Sequence, residues 1–198
     1  MLRILELGAG RDWQTNWLNH EYPDDIITCV DASYDDDIQA EVPLEQNLHL
    51  IRSDITSYLE QYNGPKFDKI FASRVMEHIP YDQLHYLTYL LHKVCVDNGE
   101  LIISVPDYEK ISELISTLDH KRMKADEFNL GLIKTHTEVF NGLFDPHQSI
   151  WTQKLASYYL ELEGYWEINC MEHITIEKRD WYIEIVAKHV GNSDVVNA

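Results

Sequence analysis

The feature that most narrows what this chain can fold into is its opening stretch, Met1-Leu2-Arg3-Ile4-Leu5-Glu6-Leu7-Gly8-Ala9-Gly10. Leu2, Ile4, Leu5 and Leu7 form a short, nearly continuous apolar run, the pattern of a strand buried on both faces of a parallel sheet. The run stops at Gly8-Ala9-Gly10, where two glycines admit backbone angles that side chains forbid and let a ligand approach the main chain closely. Glu6 sets a carboxylate just before that turn. A strand ending in a glycine-rich turn is the usual entrance to a nucleotide-type site in an open α/β sheet.

A chain of 198 residues is expected to form one domain with a substantial core and no need of metal or disulfide staples. Cys29, Cys95 and Cys170 are odd in number, far apart and set in apolar segments, so all three are expected to be buried thiols of a reducing cytoplasm. No leader precedes the first strand and no apolar run approaches a membrane span, which gives a cytoplasmic location without membrane contact as the expectation. The formal charge of −18 repels phosphate backbones and anionic bilayers, which argues against a nucleic-acid substrate. It reads most simply as a solvated acidic surface.

Residues 12–20, with Trp13 and Trp17 at helical spacing, predict a short helix whose amino end faces the glycine turn. Ile26-Ile27-Thr28-Cys29-Val30 is a second strand ending at Asp31, roughly twenty residues past the turn, where a doubly wound sheet offers a carboxylate to a ribose diol. The same acid could instead cap a turn. Leu48-His49-Leu50-Ile51 is a third strand, followed by Ser53-Asp54-Ile55, with Asp54 placed to cap the next helix, to receive an adenine amine, or both. Residues 67–72 are a fourth strand; residues 81–96 form the clearest helix, which Gly99 is expected to close in the left-handed conformation. Residues 101–105 are a fifth strand. The segment 108–148 is too long for a plain connection and is read as an insertion covering the carboxyl edge of the sheet. A helix over 151–163 and a hairpin of residues 165–176 and 181–189 complete an open, twisted, Rossmann-like sheet of about seven strands, mostly parallel, with helices on both faces.

At this point the chain resembles the class I S-adenosylmethionine-dependent methyltransferases. The likeness rests on Glu6-Leu7-Gly8-Ala9-Gly10, on Val30-Asp31 and on Ser53-Asp54-Ile55. It continues through Phe67-Asp68-Lys69-Ile70-Phe71-Ala72, Met76-Glu77-His78-Ile79 and Asn98-Gly99-Glu100-Leu101. Looser matches, Val105-Pro106-Asp107 and a late His147 before an aromatic-led helix, are similar to small bacterial and phage members of undefined substrate, several of them tied to glycan chemistry. The resemblance implies S-adenosylmethionine as cofactor, with S-adenosylhomocysteine as product. Gly8, Ala9 and Gly10 would lie against the methionyl part, with Glu6 ordering the loop. Asp31 and Ala32 would hold the ribose; Ser53, Asp54 and Ile55 the adenine side; Ala72, Ser73 and Arg74 the other face.

An NAD fingerprint would need a third glycine where Trp13 stands, and no Gly-Lys-Ser or Gly-Lys-Thr phosphate loop occurs. The pattern of base amino-methylation, Asn-Pro-Pro-Tyr or Asp-Pro-Pro-Tyr after strand four, is replaced by Ser73-Arg74-Val75-Met76. The expected reaction is therefore methyl transfer to an oxygen or nitrogen of a small-molecule or glycan-type acceptor. The alternative is an inactive cofactor-binding domain that acts as a regulatory or assembly partner. Such an acceptor must lose a proton, which invites a general base. His147 is the first candidate, with His78 and Glu77 behind it. Asp145, His147, His136 and His20 could suggest a metal, but neither a helical His pair nor Cys-X-X-Cys supports one, and no metal is expected. Closure of the site is expected either from the 108–148 segment or from a second copy of the chain in a homodimer.

Overall fold

The computed structural model describes residues 1–10, 18, 21–34, 47–116, 147–176 and 179–191. Strand β1 (Arg3–Leu7) is buried over four of its five residues, as its unbroken apolar run requires. Parallel neighbours flank it: β2 (Ile26–Asp31) on one side and β4 (Phe67–Ser73) on the other, with β3 (Leu48–Arg52) beyond β2. Strand β5 (Cys95–Pro106) pairs with β4 in parallel. The chain then closes with β6 (Trp166–Ile176) and β7 (Arg179–His189), and β7 inserts antiparallel between β5 and β6. The resulting order is β3-β2-β1-β4-β5-β7-β6, a seven-stranded mixed sheet.

Alternation along the strands divides the core between the two faces. Leu5, Leu7, Val30, Ile70 and Ile103 pack on one face with Leu59 of α1 (Ile55–Gln61), Leu84, Leu87 and Leu91 of α2 (Leu84–Val94), and Ala156, Tyr159 and Leu160 of α4 (Gln153–Glu161). Ile4, Ile27, Cys29, Leu50 and Phe71 pack on the other with Leu18 and Tyr34. Helix α3 (Tyr108–Ser116) sets Tyr108 and Ile111 against Trp181 and Tyr182. Among the described residues no helix is long and apolar enough to cross a membrane.

Several local readings change. The helix expected over 81–96 is a 3-10 turn, Tyr81–Gln83, followed by α2, because Cys95 already joins β5. The left-handed residue beyond it is Asn98, at φ 64°, and not Gly99. Gly99 is needed for space: a Cβ there would stand 2.6 Å from Cys95 Sγ and 3.0 Å from the Asp68 and Val96 carbonyl oxygens. Cys29 and Cys95 are buried, whereas Cys170 is exposed, so burial of all three thiols was the wrong expectation. Cys170 sits on β6, which among the described residues pairs with β7 alone and stands at the end of the sheet. The expected helix over 12–20, apart from Leu18, and most of the 108–148 segment lie outside the described residues.

Candidate functional site

The carboxyl ends of β1 to β5 meet along one edge. Gly8 and Gly10 leave β1 with φ of 65° and 69°, conformations that favour glycine. The Gly8 N–H donates to the Val30 carbonyl at 2.8 Å, which docks the turn on the end of β2. The Gly10 N–H then donates to Asp31 Oδ2 at 2.8 Å, and the Ser33 N–H to Asp31 Oδ1 at 2.7 Å. Asp31 is thus both a turn-ordering acceptor and an acid presented at the edge. Each carboxylate oxygen can accept twice, so these two bonds leave it further acceptor capacity.

Glu6 is buried on the opposite face from Leu5 and Leu7, and its Oε2 accepts from the Cys29 thiol at 3.3 Å. Burial, and then the Glu6 charge, push the Cys29 thiol well above its usual range. Burial and the neighbouring Cys29, Glu6 and Asp31 raise the Tyr34 hydroxyl likewise. The Cys29 thiol and the Tyr34 hydroxyl thus stay neutral beside Glu6.

At the next strand end the Ser53 N–H reaches the Asp31 carbonyl at 3.3 Å, so β3 delivers Ser53 and Asp54 beside Asp31. Asp54 is the N-cap of α1: its Oδ1 accepts from the Ser57 N–H at 2.9 Å. Ile55 is partly buried against the larger core. Across β1, Ala72 is fully buried while Ser73 and Arg74 are exposed, and Arg74 takes φ 56° as its N–H donates to the Ser104 carbonyl at 2.8 Å. Val75 then folds back over the glycine turn; a Cβ on Gly8 would lie 2.2 Å from Val75 Cγ2. Ala9 is half-buried between these elements and Ala32 is exposed.

The proton-accepting candidates also come together. The turn Met76–His78 buries Met76 and Glu77, and the chain returns at 147–151 to lie on it. The Gln148 and Ser149 N–H groups donate to the Glu77 carbonyl at 2.7 and 3.0 Å. Ser149 Oγ donates to the Met76 carbonyl at 2.9 Å and accepts from Trp151 Nε1 at 3.1 Å. These bonds bring the rings of His78 and His147 edge to face, with centroids 4.9 Å apart. Asp145, His136 and His20 lie outside the described residues.

A carboxylate–histidine pair stands apart from these candidates and has no counterpart among the sequence-based expectations. Asp107, buried just past β5, caps α3 by accepting from the Glu109 N–H at 3.0 Å. Its other oxygen lies 2.8 Å from His173 Nε2. His173 pairs with Ile183, and Ile183 with Val105, so the ring stands level with the carboxyl end of β5. Asp107 and His173 line a cleft of about 390 Å³ together with Glu109, Lys110, Glu113 and Gln153. The sequence signal available was Val105-Pro106-Asp107; nothing local marks His173, which lies in a strand of mixed polarity. By contrast, His92 and His189 form a buried pair 2.6 Å apart beneath Tyr165 and Trp166. His189 Nδ1 donates to the Val96 carbonyl, and with that ring neutral its Nε2 accepts from His92 Nδ1, a packing role.

No protein-family model matches the chain, and no curated protein matches its sequence. Solved structures match throughout. One is the 1,6-didemethyltoxoflavin-N1-methyltransferase of Burkholderia thailandensis, with bound 1,6-didemethyltoxoflavin and S-adenosylhomocysteine. It is 13% identical, with a TM-score of 0.62 over 95% of this chain and 71% of that one. The fold is that of the class I S-adenosylmethionine-dependent methyltransferases. A SAM-dependent methyltransferase from Archaeoglobus fulgidus shares this methyltransferase fold at 16% identity and a TM-score of 0.61, over 94% and 86% of the two chains. So does the N-methyltransferase NodS of Bradyrhizobium japonicum, at 10% identity and a TM-score of 0.59, over 95% and 85%. In the methyltransferase fold seen here, the glycine turn, Asp31 and Asp54 occupy adjacent strand ends of one edge.

Proposed function

We propose that the chain is an S-adenosylmethionine-dependent methyltransferase whose acceptor is an oxygen or nitrogen of a small-molecule or glycan-type compound. The observation that carries this reading is the hydrogen bond from Gly10 to Asp31, which joins the glycine turn to the acid of the second strand. It occurs in a fold whose solved neighbours hold S-adenosylhomocysteine or S-adenosylmethionine. In this reading Asp31 takes the ribose hydroxyls, Asp54 the adenine amine, and the main chain of 72–74 the opposite face.

S-adenosylmethionine, when bound, would supply an activated methyl group to the acceptor lone pair, with S-adenosylhomocysteine as the leaving group that keeps the electron pair of the broken carbon–sulfur bond. A sulfonium is already activated, so the protein's part is in-line positioning, worth roughly 7–11 kcal/mol in favourable cases. The proton released by the acceptor goes to a nearby base. His147, with His78 and Glu77 beside it, is the first candidate. The pairing of His173 with buried Asp107 favours a second, because a carboxylate fixes both the orientation and the tautomer of an imidazole.

Calorimetry with S-adenosylmethionine and S-adenosylhomocysteine tests the reading. Micromolar or tighter binding of both is expected, followed by labelled-methyl transfer to members of an acceptor screen. Binding of neither by folded protein would overturn it, and binding without transfer to any acceptor would favour an inactive cofactor-binding partner. His147→Ala and His173→Ala, compared on the first acceptor found, decide which ring takes the proton.

A further inference from the structure

No metal signature is legible in the sequence, yet two segments far apart in the chain converge on a ligand set. Glu77, His78 and His147 each turn a ligating atom toward the others, and these atoms all lie within 4.8 Å of one another. We propose that the three form a binding site for a divalent transition-metal ion of the zinc class.

The donor set suits that ion. One carboxylate and two imidazoles make up a recurrent three-ligand arrangement that leaves at least one coordination position open. Glu77 is 2% exposed, and an ion held there would neutralise its charge in place. The scaffold is also arranged in advance. Glu77 and His78 share one tight turn, anchored by fully buried Met76, so their separation is set by that turn. His147 comes from the returning segment, which Gln148 and Ser149 latch to the main chain of the same turn through three hydrogen bonds. Trp151, itself buried, holds Ser149 in that latch. Ligands positioned by packed, hydrogen-bonded neighbours lose little freedom when an ion binds. A helical His pair or Cys-X-X-Cys search misses this site because its two histidines come from segments far apart in the chain and no cysteine takes part.

The site goes beyond methyl transfer and does not depend on it. An ion there would occupy ring lone pairs that a free base needs. With His147 coordinated, the acceptor's proton would pass to another base, for which His173 is the second candidate.

The test is ion binding by the full chain after removal of metal with a chelator. Co²⁺ is titrated with visible absorption as readout, Zn²⁺ is then added in competition, and S-adenosylhomocysteine calorimetry is run in parallel as a check on cofactor binding. One Co²⁺ per chain, displaced by Zn²⁺, is expected. Glu77→Gln and His147→Ala should each weaken binding by more than the roughly 10–100-fold that loss of an outer-shell partner costs. His78→Gln, at a partly exposed position, serves if either variant fails to fold. His173→Ala should leave ion affinity unchanged. Absence of stoichiometric binding by folded protein, or binding that these ligand substitutions leave intact, overturns the site. Neither result bears on cofactor binding, which the parallel calorimetry reads separately.

Discussion

The main-chain N–H of Gly10 and the carboxylate of Asp31, 21 residues apart, are joined by a 2.8 Å hydrogen bond. Through it the geometry of the glycine turn depends on the acid that is proposed to hold the ribose. Loss of Asp31 should therefore be felt twice, in ligand contact and in turn order.

Asp31→Asn keeps the shape and one oxygen acceptor but not the charge. A hydrogen bond to a charged group contributes about 1.5–3 kcal/mol, so S-adenosylhomocysteine affinity should fall about 10- to 150-fold. Asp31→Ala removes both contacts and should fall further. Calorimetry on variants with unchanged circular dichroism measures this, and undiminished affinity in Asp31→Ala would remove the residue from the site.

Gly8 and Val75 give a second, independent handle on the turn. In Gly8→Ala the new methyl meets Val75 Cγ2 at 2.2 Å, at a φ of 65°. The overpacking alone should cost about 1–3 kcal/mol, and the left-handed backbone adds about 1–2 kcal/mol. Adding Val75→Ala should relieve the first part and leave the second, so the double variant should be more stable than Gly8→Ala alone. Urea denaturation decides; strict additivity of the two substitutions would show that the clash is not what Gly8 avoids.

Strand ends were the legible part of this molecule. A buried parallel strand announces itself by an unbroken apolar run, and the residue that follows it is fixed at the sheet edge whatever the loops do, which is why Asp31 and Asp54 could be placed from spacing alone. Gly99 shows where such reading stops: its local signal, a glycine after a helix, suits a left-handed cap, but the crowding by Cys95, Asp68 and Val96 comes from β4 and the start of β5. The Asp107–His173 pair and the latch between Ser149 and Met76 are contacts across the chain, with no periodicity to carry them. Cys170 was misread because apolar neighbours in a strand do not reveal which strand ends the sheet.

Glu184 supplies a pH-dependent term of known sign. It stands opposite Glu172 on β6 and Ser104 on β5. Burial, and then repulsion from Glu172, raise its carboxyl above the ordinary 4.5, although the Ser104 hydrogen bond opposes the shift. For an acid raised on folding, the penalty is absent below the unfolded value and develops as pH climbs through the raised one. Glu184→Gln should therefore stabilise the protein at neutral pH, within the about 1 kcal/mol usual for partly exposed charge pairs. The gain should vanish below about pH 4, where the wild-type carboxyl is protonated in both states. Thermal unfolding across this range measures it, and a gain independent of pH would assign the effect to packing instead.

Asp54 separates capping from cofactor recognition, because serine can do the first and not the second. The Asp54 carboxylate accepts from the Ser57 N–H at 2.9 Å, and Asp54→Ala should destabilise the fold by about 1 kcal/mol through loss of that cap. Ser is as good an N-cap as Asp, so Asp54→Ser should unfold at nearly the wild-type urea concentration. Its shorter, neutral hydroxyl cannot supply a carboxylate acceptor to an adenine amine. Affinity for S-adenosylhomocysteine should consequently fall about 10-fold or more in Asp54→Ser, in line with a charge-assisted bond of about 1.5–3 kcal/mol. Calorimetry and urea denaturation on the same two variants give both numbers. Wild-type affinity in Asp54→Ser, with stability lost only in Asp54→Ala, would leave this residue a helix cap and nothing more.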